Sequence, residues 1–481
     1  MKKVSIILIF LISLVLIFFY FGKTAIVSTT GKTFPEKIAN KIPAITKTWI
    51  KQTFFKSHTL RLDIRNQNKQ IEELRIVENE KNSLVIDKFK KIYFGPSVEV
   101  KPSNQEYKNI LYQTKFLSNG KNDFAIASGY VDIYKDDLIF ATGDALIFKI
   151  KLSDLSNNKE GFYADLIETN LTDIIKTQDF FKKSYYGIKD LTIFNNKIFL
   201  SFSNEVKKDC FNTGLLIADL DLDNLLFEKH TLSENDCALV GKMDNALQGG
   251  RIVKFSDEEV FFTHGDWFQD NSAQNKESIF GKILKYNFVN RSYEMISYGH
   301  RNPQGLLYLK EQNILVETEH GPIGGDEVNI IELGDINIDK NYGWPIASYG
   351  KGTQKTAAII SSGTKNYKSH EGYIEPIKYY DPSIGISEIL KVPNKFFKNA
   401  NSDENFFIAT LGTKVSEGDL SLHHLKINKE NNKIIFQDII QLQERIRDMV
   451  YSEKLNSLIL FIESDRMYKG GPSIAIFSHK E

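Results

Sequence analysis

The chain has 481 residues, 42% hydrophobic and 25% charged, and its 61 lysines and arginines balance 61 aspartates and glutamates. That is an ordinary globular composition with ample sequence for a core. A net charge of zero argues against a general nucleic-acid binder, which needs a basic excess to neutralise phosphates. Two cysteines, Cys210 and Cys237, are too few for a disulfide-built scaffold and lack the CxxC pairs of a zinc site.

At the N-terminus, Lys2 and Lys3 precede an uncharged apolar run from Val4 to Phe21. As a helix this run can cross a bilayer core of roughly 30 Å. It ends in Phe21-Gly22-Lys23 without a small-x-small cleavage site, and the apolar region of a signal peptide is usually only about 7–15 residues. Residues 1–22 are therefore expected to be a retained membrane anchor, with the lysines cytoplasmic and the rest of the chain periplasmic or extracellular. A cleaved signal peptide is the competing reading. In that oxidising compartment Cys210 and Cys237 either pair or stay buried as free thiols.

Residues 23–105 read as a membrane-proximal, partly helical stalk, in which Ile38, Ile42, Ile45 and Trp49 recur at helical spacing. The texture then changes to strands. Six segments, starting at Tyr130, Ile188, Gly250, Asn302, Ser387 and Arg445, share one design: a β-rich run, a tight polar turn and a second β-rich run. Their starts lie roughly 50–85 residues apart, which suits one four-stranded blade plus loops. The predicted fold is all-β, a six-bladed propeller over residues 106–481. A large β-sandwich fits less well, because one hairpin motif returns so regularly.

The densest polar signal lies between Gly299 and Gly350. It holds Gly299-His300-Arg301-Asn302-Pro303-Gln304-Gly305, then Glu319-His320-Gly321-Pro322, Gly324-Gly325-Asp326-Glu327 and Asn341-Tyr342-Gly343-Trp344-Pro345. Outside it stand Gly249-Gly250-Arg251, Gly265-Asp266, Asp381-Pro382-Ser383 and Arg445-Ile446-Arg447-Asp448. Read as residues alone, the loop at Arg301 is a Gly/Pro-bounded turn. The run from His320 to Glu327 is a Gly-rich loop without the GK[ST] ending of a phosphate loop. Arg445 and Arg447, two apart on a strand, leave the same face and either pair with nearby acids or clamp anionic groups.

Together these strings resemble the soluble quinoprotein glucose dehydrogenase and aldose sugar dehydrogenase family. The resemblance implies a six-bladed propeller that holds pyrroloquinoline quinone and calcium and oxidises aldoses. It implies that Arg301 and Asn302 reach the reactive quinone edge, with Gln304 close by, and that Arg445 and Arg447 clamp the quinone's carboxylates. It puts one calcium on the carbonyls of Gly321 and Pro322, and a second, structural calcium on Glu327 with the carbonyl of Tyr342. Calcium is a hard cation that takes oxygen ligands, so these groups suit it.

The pattern also fails in three places. The family's catalytic histidine corresponds to Leu247, which cannot accept a proton. Its glutamine falls near Tyr185, and its cofactor-binding lysine aligns with Gly412, two residues before Lys414. Asp266 remains as a catalytic residue that orients substrate or a base, and His264, two residues earlier on the strand, is a possible surrogate base. Two functions follow: a membrane-anchored sugar dehydrogenase with altered base chemistry, or an inactive propeller that serves as a ligand-binding or scaffolding module.

Overall fold

The structure is a computed structural model that describes residues 91–114, 128–156, 160–180, 186–244, 246–269, 272–334, 339–350, 369–397, 404–428, 430–463 and 473–480. The expected anchor at Val4–Phe21 and the stalk as far as residue 90 lie outside them, as does Tyr185. Among the described residues no helix is long and apolar enough to cross a membrane.

Six antiparallel sheets form a six-bladed propeller. Each of the six hairpins expected from the sequence is the inner pair of strands of one blade. The innermost strands are Gly129–Tyr134, Ile188–Phe194, Gly249–Lys254, Pro303–Leu309, Ile386–Val392 and Arg445–Ser452, in blades one to six. Each packs against the next, and the sixth packs back against the first, so the ring closes. All six run with their N-terminal ends toward the same mouth of the central axis, as one blade repeated around a ring requires.

The ring holds because each strand alternates its apolar side chains between two seams. In blade two, Ile198 and Leu200 face blade one, whereas Phe199 faces blade three. Six apolar clusters fill the six seams between blades.

Closure uses a strand that precedes the first hairpin. Tyr107–Gln113 pairs antiparallel with Ser473–His479, from Tyr107 opposite His479 to Gln113 opposite Ser473, and completes blade six. Val98–Val100 adds to its edge, and Lys91–Phe94 pairs with Phe162–Leu166 at the edge of blade one. Residues assigned to the stalk thus belong to the propeller, which begins before residue 106. Knitting the two chain ends into one sheet leaves no open seam in the ring.

Cys210 and Cys237 form a disulfide across 27 residues of blade two. It joins the start of Cys210–Asp219 to the segment before Ala238–Leu239, which pairs with the same strand. Replacing both cysteines by serine is expected to cost about 3–4 kcal/mol, the loop-closure entropy returned to the unfolded chain. Urea unfolding of the double variant checks this, and an unchanged midpoint would contradict it.

Candidate functional site

The site is built by irregularities at the mouth ends of the innermost strands. Strand pairing skips Lys189 in blade two, Gln304 in blade four and Arg447 in blade six. It also slips at Gly250-Arg251 in blade three and Ser387-Glu388 in blade five. A bulge frees a residue from the ladder and re-aims its side chain. Here the polar residues at these slips converge on the axis.

The floor of the mouth is a buried charge hub. Nη1 of Arg251 lies 2.9 Å from Asp190, 2.7 Å from Glu388 and 2.6 Å from Asp448. Nη2 of Arg251 donates to the carbonyl of Arg447 at 3.0 Å. The far carboxylate oxygens accept backbone N–H groups, Asp448 from Val131 and Asp190 from Ile252, each at 2.7 Å. One guanidinium thereby fastens five blades and holds the backbone under Arg447. Burial pushes the Asp190 carboxyl up to about 7, against the pull of Arg251.

Above the hub, Arg445 and Arg447 leave the same face, as their spacing predicts, and both meet Glu463. Nη2 of Arg445 lies 2.7 Å from one Glu463 oxygen, and Nε of Arg447 donates to the other at 2.6 Å. Burial opposes ionisation of Glu463, but the two guanidiniums overcome it and hold the carboxyl at about 2. The sequence reading missed Glu463; its signal is the hairpin register, which sets it opposite Arg445. Nη1 of Arg447 donates to Gln304 Oε1 at 3.0 Å, and Gln304 Nε2 donates to Asn302 Oδ1 at 3.0 Å. The Asn302 amide is otherwise spent on the backbone, donating to the Ala246 carbonyl and accepting from Gly249 N–H. Asn302 therefore splints the 246–249 loop, and its side chain is occupied within the protein.

Arg301 stands across the mouth, its guanidinium 5.4 Å from the Trp344 ring centroid. Nη1 of Arg301 donates to the carbonyls of His320 and Gly321 at 3.0 and 2.9 Å, while its buried Nε has no partner among the described residues. Trp344 Nε1 donates to Asp266 Oδ2 at 2.6 Å, and Phe268 N–H donates to Oδ1 at 2.8 Å. Burial raises the Asp266 carboxyl to about 6, with Arg301 pulling the other way.

The Gly-rich loop forms a cradle beside Arg301. A Cβ on Gly321 would lie 2.2 and 2.3 Å from the carbonyl oxygens of Gly324 and Gly325, so only glycine allows this approach. A cleft beside it is lined by Arg301, Gly321, Glu327, Tyr342, Trp344 and His370. Glu319 also lines the cleft, and ligand atoms of His300, Glu317 and Glu319 all lie within 4.8 Å of one another, with all three residues buried. Nδ2 of Asn329 lies 3.1–3.4 Å from the carboxylates of Glu317, Glu319 and Glu327, and Glu327 also meets His370 at 3.0 Å. Among the described residues, one Glu317 oxygen and the Asn329 amide oxygen have no partner. Buried oxygens short of partners beside a carbonyl cradle fit a hard divalent cation.

Leu247 is buried, and its carbonyl accepts Trp267 N–H at 3.0 Å while Gln248 accepts Gly265 N–H at 2.9 Å. The 247–248 loop thus runs beside Asp266. His264 does not suit the role of surrogate base. It is fully buried, its Nε2 accepts Thr213 N–H at 3.2 Å, and its Nδ1 bonds the Gly265 carbonyl at 2.9 Å. Burial lowers its pKa to about 3, so this histidine is a neutral strut between blades. Lys414 is no substitute at the mouth either, since its side chain is 65% exposed and paired with Glu417. A Cβ on Gly412 would lie 2.1 Å from an Asp419 oxygen, which leaves no room there for a longer side chain.

The sequence model of glucose/sorbosone dehydrogenases matches residues 168–467. An aldose sugar dehydrogenase of Escherichia coli is 32% identical over 195 residues, covering 35% of this chain and 49% of that protein. An uncharacterized Synechocystis protein is 30% identical over 250 residues, covering 45% of this chain and 56% of its own. The chain spans about half the length of the curated relatives it matches. In fold it is similar to the soluble aldose sugar dehydrogenase of Escherichia coli in its apo-form, with TM-score 0.55 at 19% identity over 73% of this chain and 95% of the other. It is also similar to a glucose dehydrogenase, with TM-score 0.54 at 20% identity over 74% and 98%.

Proposed function

The chain belongs to the glucose/sorbosone dehydrogenase family, and on that premise we propose that it is a membrane-anchored, extracytoplasmic quinoprotein that oxidises sugars, with Asp266 in place of the missing histidine as the base. The observation that carries this reading is the charge at the mouth. Arg445, Arg447 and Arg301 stand there, Glu463 between the first two and Asp266, Glu319 and Glu327 around the third, and one buried Arg301 nitrogen has no partner among the described residues. A ligand with several carboxylates suits three clustered guanidiniums.

Pyrroloquinoline quinone, when bound, supplies the two-electron acceptor that hydride removal from a sugar carbon needs. Arg445 and Arg447 would hold its carboxylates, and Arg301, braced by Trp344, would face its reactive edge. The carbonyls of Gly321 and Pro322 would hold one calcium, and Glu327 with the Tyr342 carbonyl a second. Asp266, ionised above about pH 6, would take the sugar hydroxyl proton. The Cys210–Cys237 disulfide and the apolar run after Lys2-Lys3 support the extracytoplasmic, anchored placement.

A second reading, a propeller that binds ligand without turnover, is favoured by Leu247 and by Glu463, which already occupies both arginines of blade six. The deciding experiment adds quinone and calcium to the purified full chain and follows the quinone absorbance as aldoses are added. A sugar-dependent change is expected. Bound quinone that ignores every sugar would favour the module, and no quinone binding at all would overturn the cofactor assignment. In the same assay Arg447→Ala should weaken quinone binding by roughly 10- to 150-fold, the equivalent of one charge-assisted hydrogen bond.

A further inference from the structure

The strands that deliver Gln304 and Arg447 to the mouth do so through a residue skipped by strand pairing, and the same device occurs once more, in blade two. There Ser201 pairs with Asp190 and Phe202 with Ile188, so Lys189 is the skipped residue. It is the second residue of its innermost strand, as Gln304 is in blade four. A glycine makes room for it on one side, since a Cβ on Gly250 would lie 2.6 Å from Lys189 Cβ, and the Lys189 amine lies beside Gly187, 3.6 Å from where a Cβ there would stand.

We propose that Lys189 is an anion-binding residue of the mouth, the cation that pairs with a carboxylate of the bound ligand alongside Arg445 and Arg447. The assignment rests on the quinone reading above. Among the described residues none accepts a hydrogen bond or ion pair from the Lys189 amine, although the side chain is half-buried. The other cations described at the mouth are partnered: Arg445 and Arg447 share Glu463, and Arg301 holds two carbonyls. Burial, and then the charge of Arg447, lower the Lys189 pKa to about 8, with Glu463 opposing. An ammonium in that setting gains more from an incoming carboxylate than a solvated lysine does.

The test titrates the purified full chain, as wild type, Lys189→Met and Lys189→Arg, with pyrroloquinoline quinone followed by tryptophan quenching. A second titration uses citrate, a plain tricarboxylate, followed by calorimetry. Lys189→Met is expected to weaken quinone binding by about 10- to 150-fold, and Lys189→Arg to restore most of it, with melting temperatures unchanged. Equal quinone affinity in wild type and Lys189→Met overturns the lysine assignment and leaves the cofactor reading standing. Citrate binding that needs Lys189, with no response to quinone, upholds the lysine and overturns the cofactor. Binding of neither probe by the wild type overturns both, and equal loss in the Met and Arg variants overturns the lysine.

Discussion

Arg251→Met is expected to destabilise the propeller by about 3–5 kcal/mol at neutral pH, the usual result of removing one partner from a buried ionic cluster. The cost lies in what remains, because Asp190, Glu388 and Asp448 then face one another without their shared cation. Methionine fills the space but satisfies none of their oxygens. The pH dependence separates this cause from simple loss of packing. Asp190 sits at about 7 in the folded protein against an ordinary 3.8, and Glu388 is also raised well above its ordinary value, both chiefly by burial. The folded state therefore holds these protons more tightly than the unfolded chain. The Asp190 contribution to stability is full below about pH 4 and is lost as pH rises through about 7, and Glu388 acts in the same direction. Without Arg251 to favour the ionised forms the window extends upward, so the variant should recover on acidification from pH 7.5 to 5 by more than the wild type gains. Denaturant unfolding at both pH values measures this. An equal deficit at the two would mean that the hub charges do not matter.

The same hub shows what a sequence reader can and cannot see. The six hairpins were legible because period-two alternation and polar turns are local signals, and each became an inner pair of strands. The closing strand Tyr107–Gln113 was not, since its partner Ser473–His479 lies at the opposite end of the chain. Arg301, Asp266, Glu327 and Tyr342 could be placed by motif. Their neighbours Glu463, Glu317 and Lys189 could not, because each reaches the site through a register or a slip in pairing that only the folded sheets define. His264 illustrates the opposite error. Its position on the strand beside Asp266 suggested chemistry, yet its ring points into the seam toward Thr213 of the neighbouring blade, where the backbone claims both nitrogens.

Asp266→Asn is expected to lower sugar turnover by about 10²–10⁴-fold, the usual contribution of a positioned general base. The carboxyl rises to about 6 through burial, with Arg301 as the main opposing charge. The basic form therefore predominates above pH 6, and wild-type turnover should fall as pH drops through that value, whereas the residual rate of the variant should not follow that profile. Asparagine keeps the shape of the side chain, but one of its two positions can no longer accept from Trp344 Nε1 or Phe268 N–H. Quinone affinity must therefore be measured beside the rate, and an unchanged affinity assigns the loss to the proton step. The loop carrying Leu247 is zipped by backbone bonds to Gly265 and Trp267, so Leu247→His would set an imidazole next to this carboxylate. In the wild-type background that change should raise the rate, because a histidine held by a carboxylate is the better base near neutral pH. Combined with Asp266→Asn it should raise the rate less, since the ring loses the carboxylate that orients it. Turnover that ignores both Asp266→Asn and pH between 5 and 8 would remove Asp266 from the reaction. It would direct attention to His320, which lines the cleft with its ring nitrogens uncommitted among the described residues but with its pKa lowered to about 4 by burial.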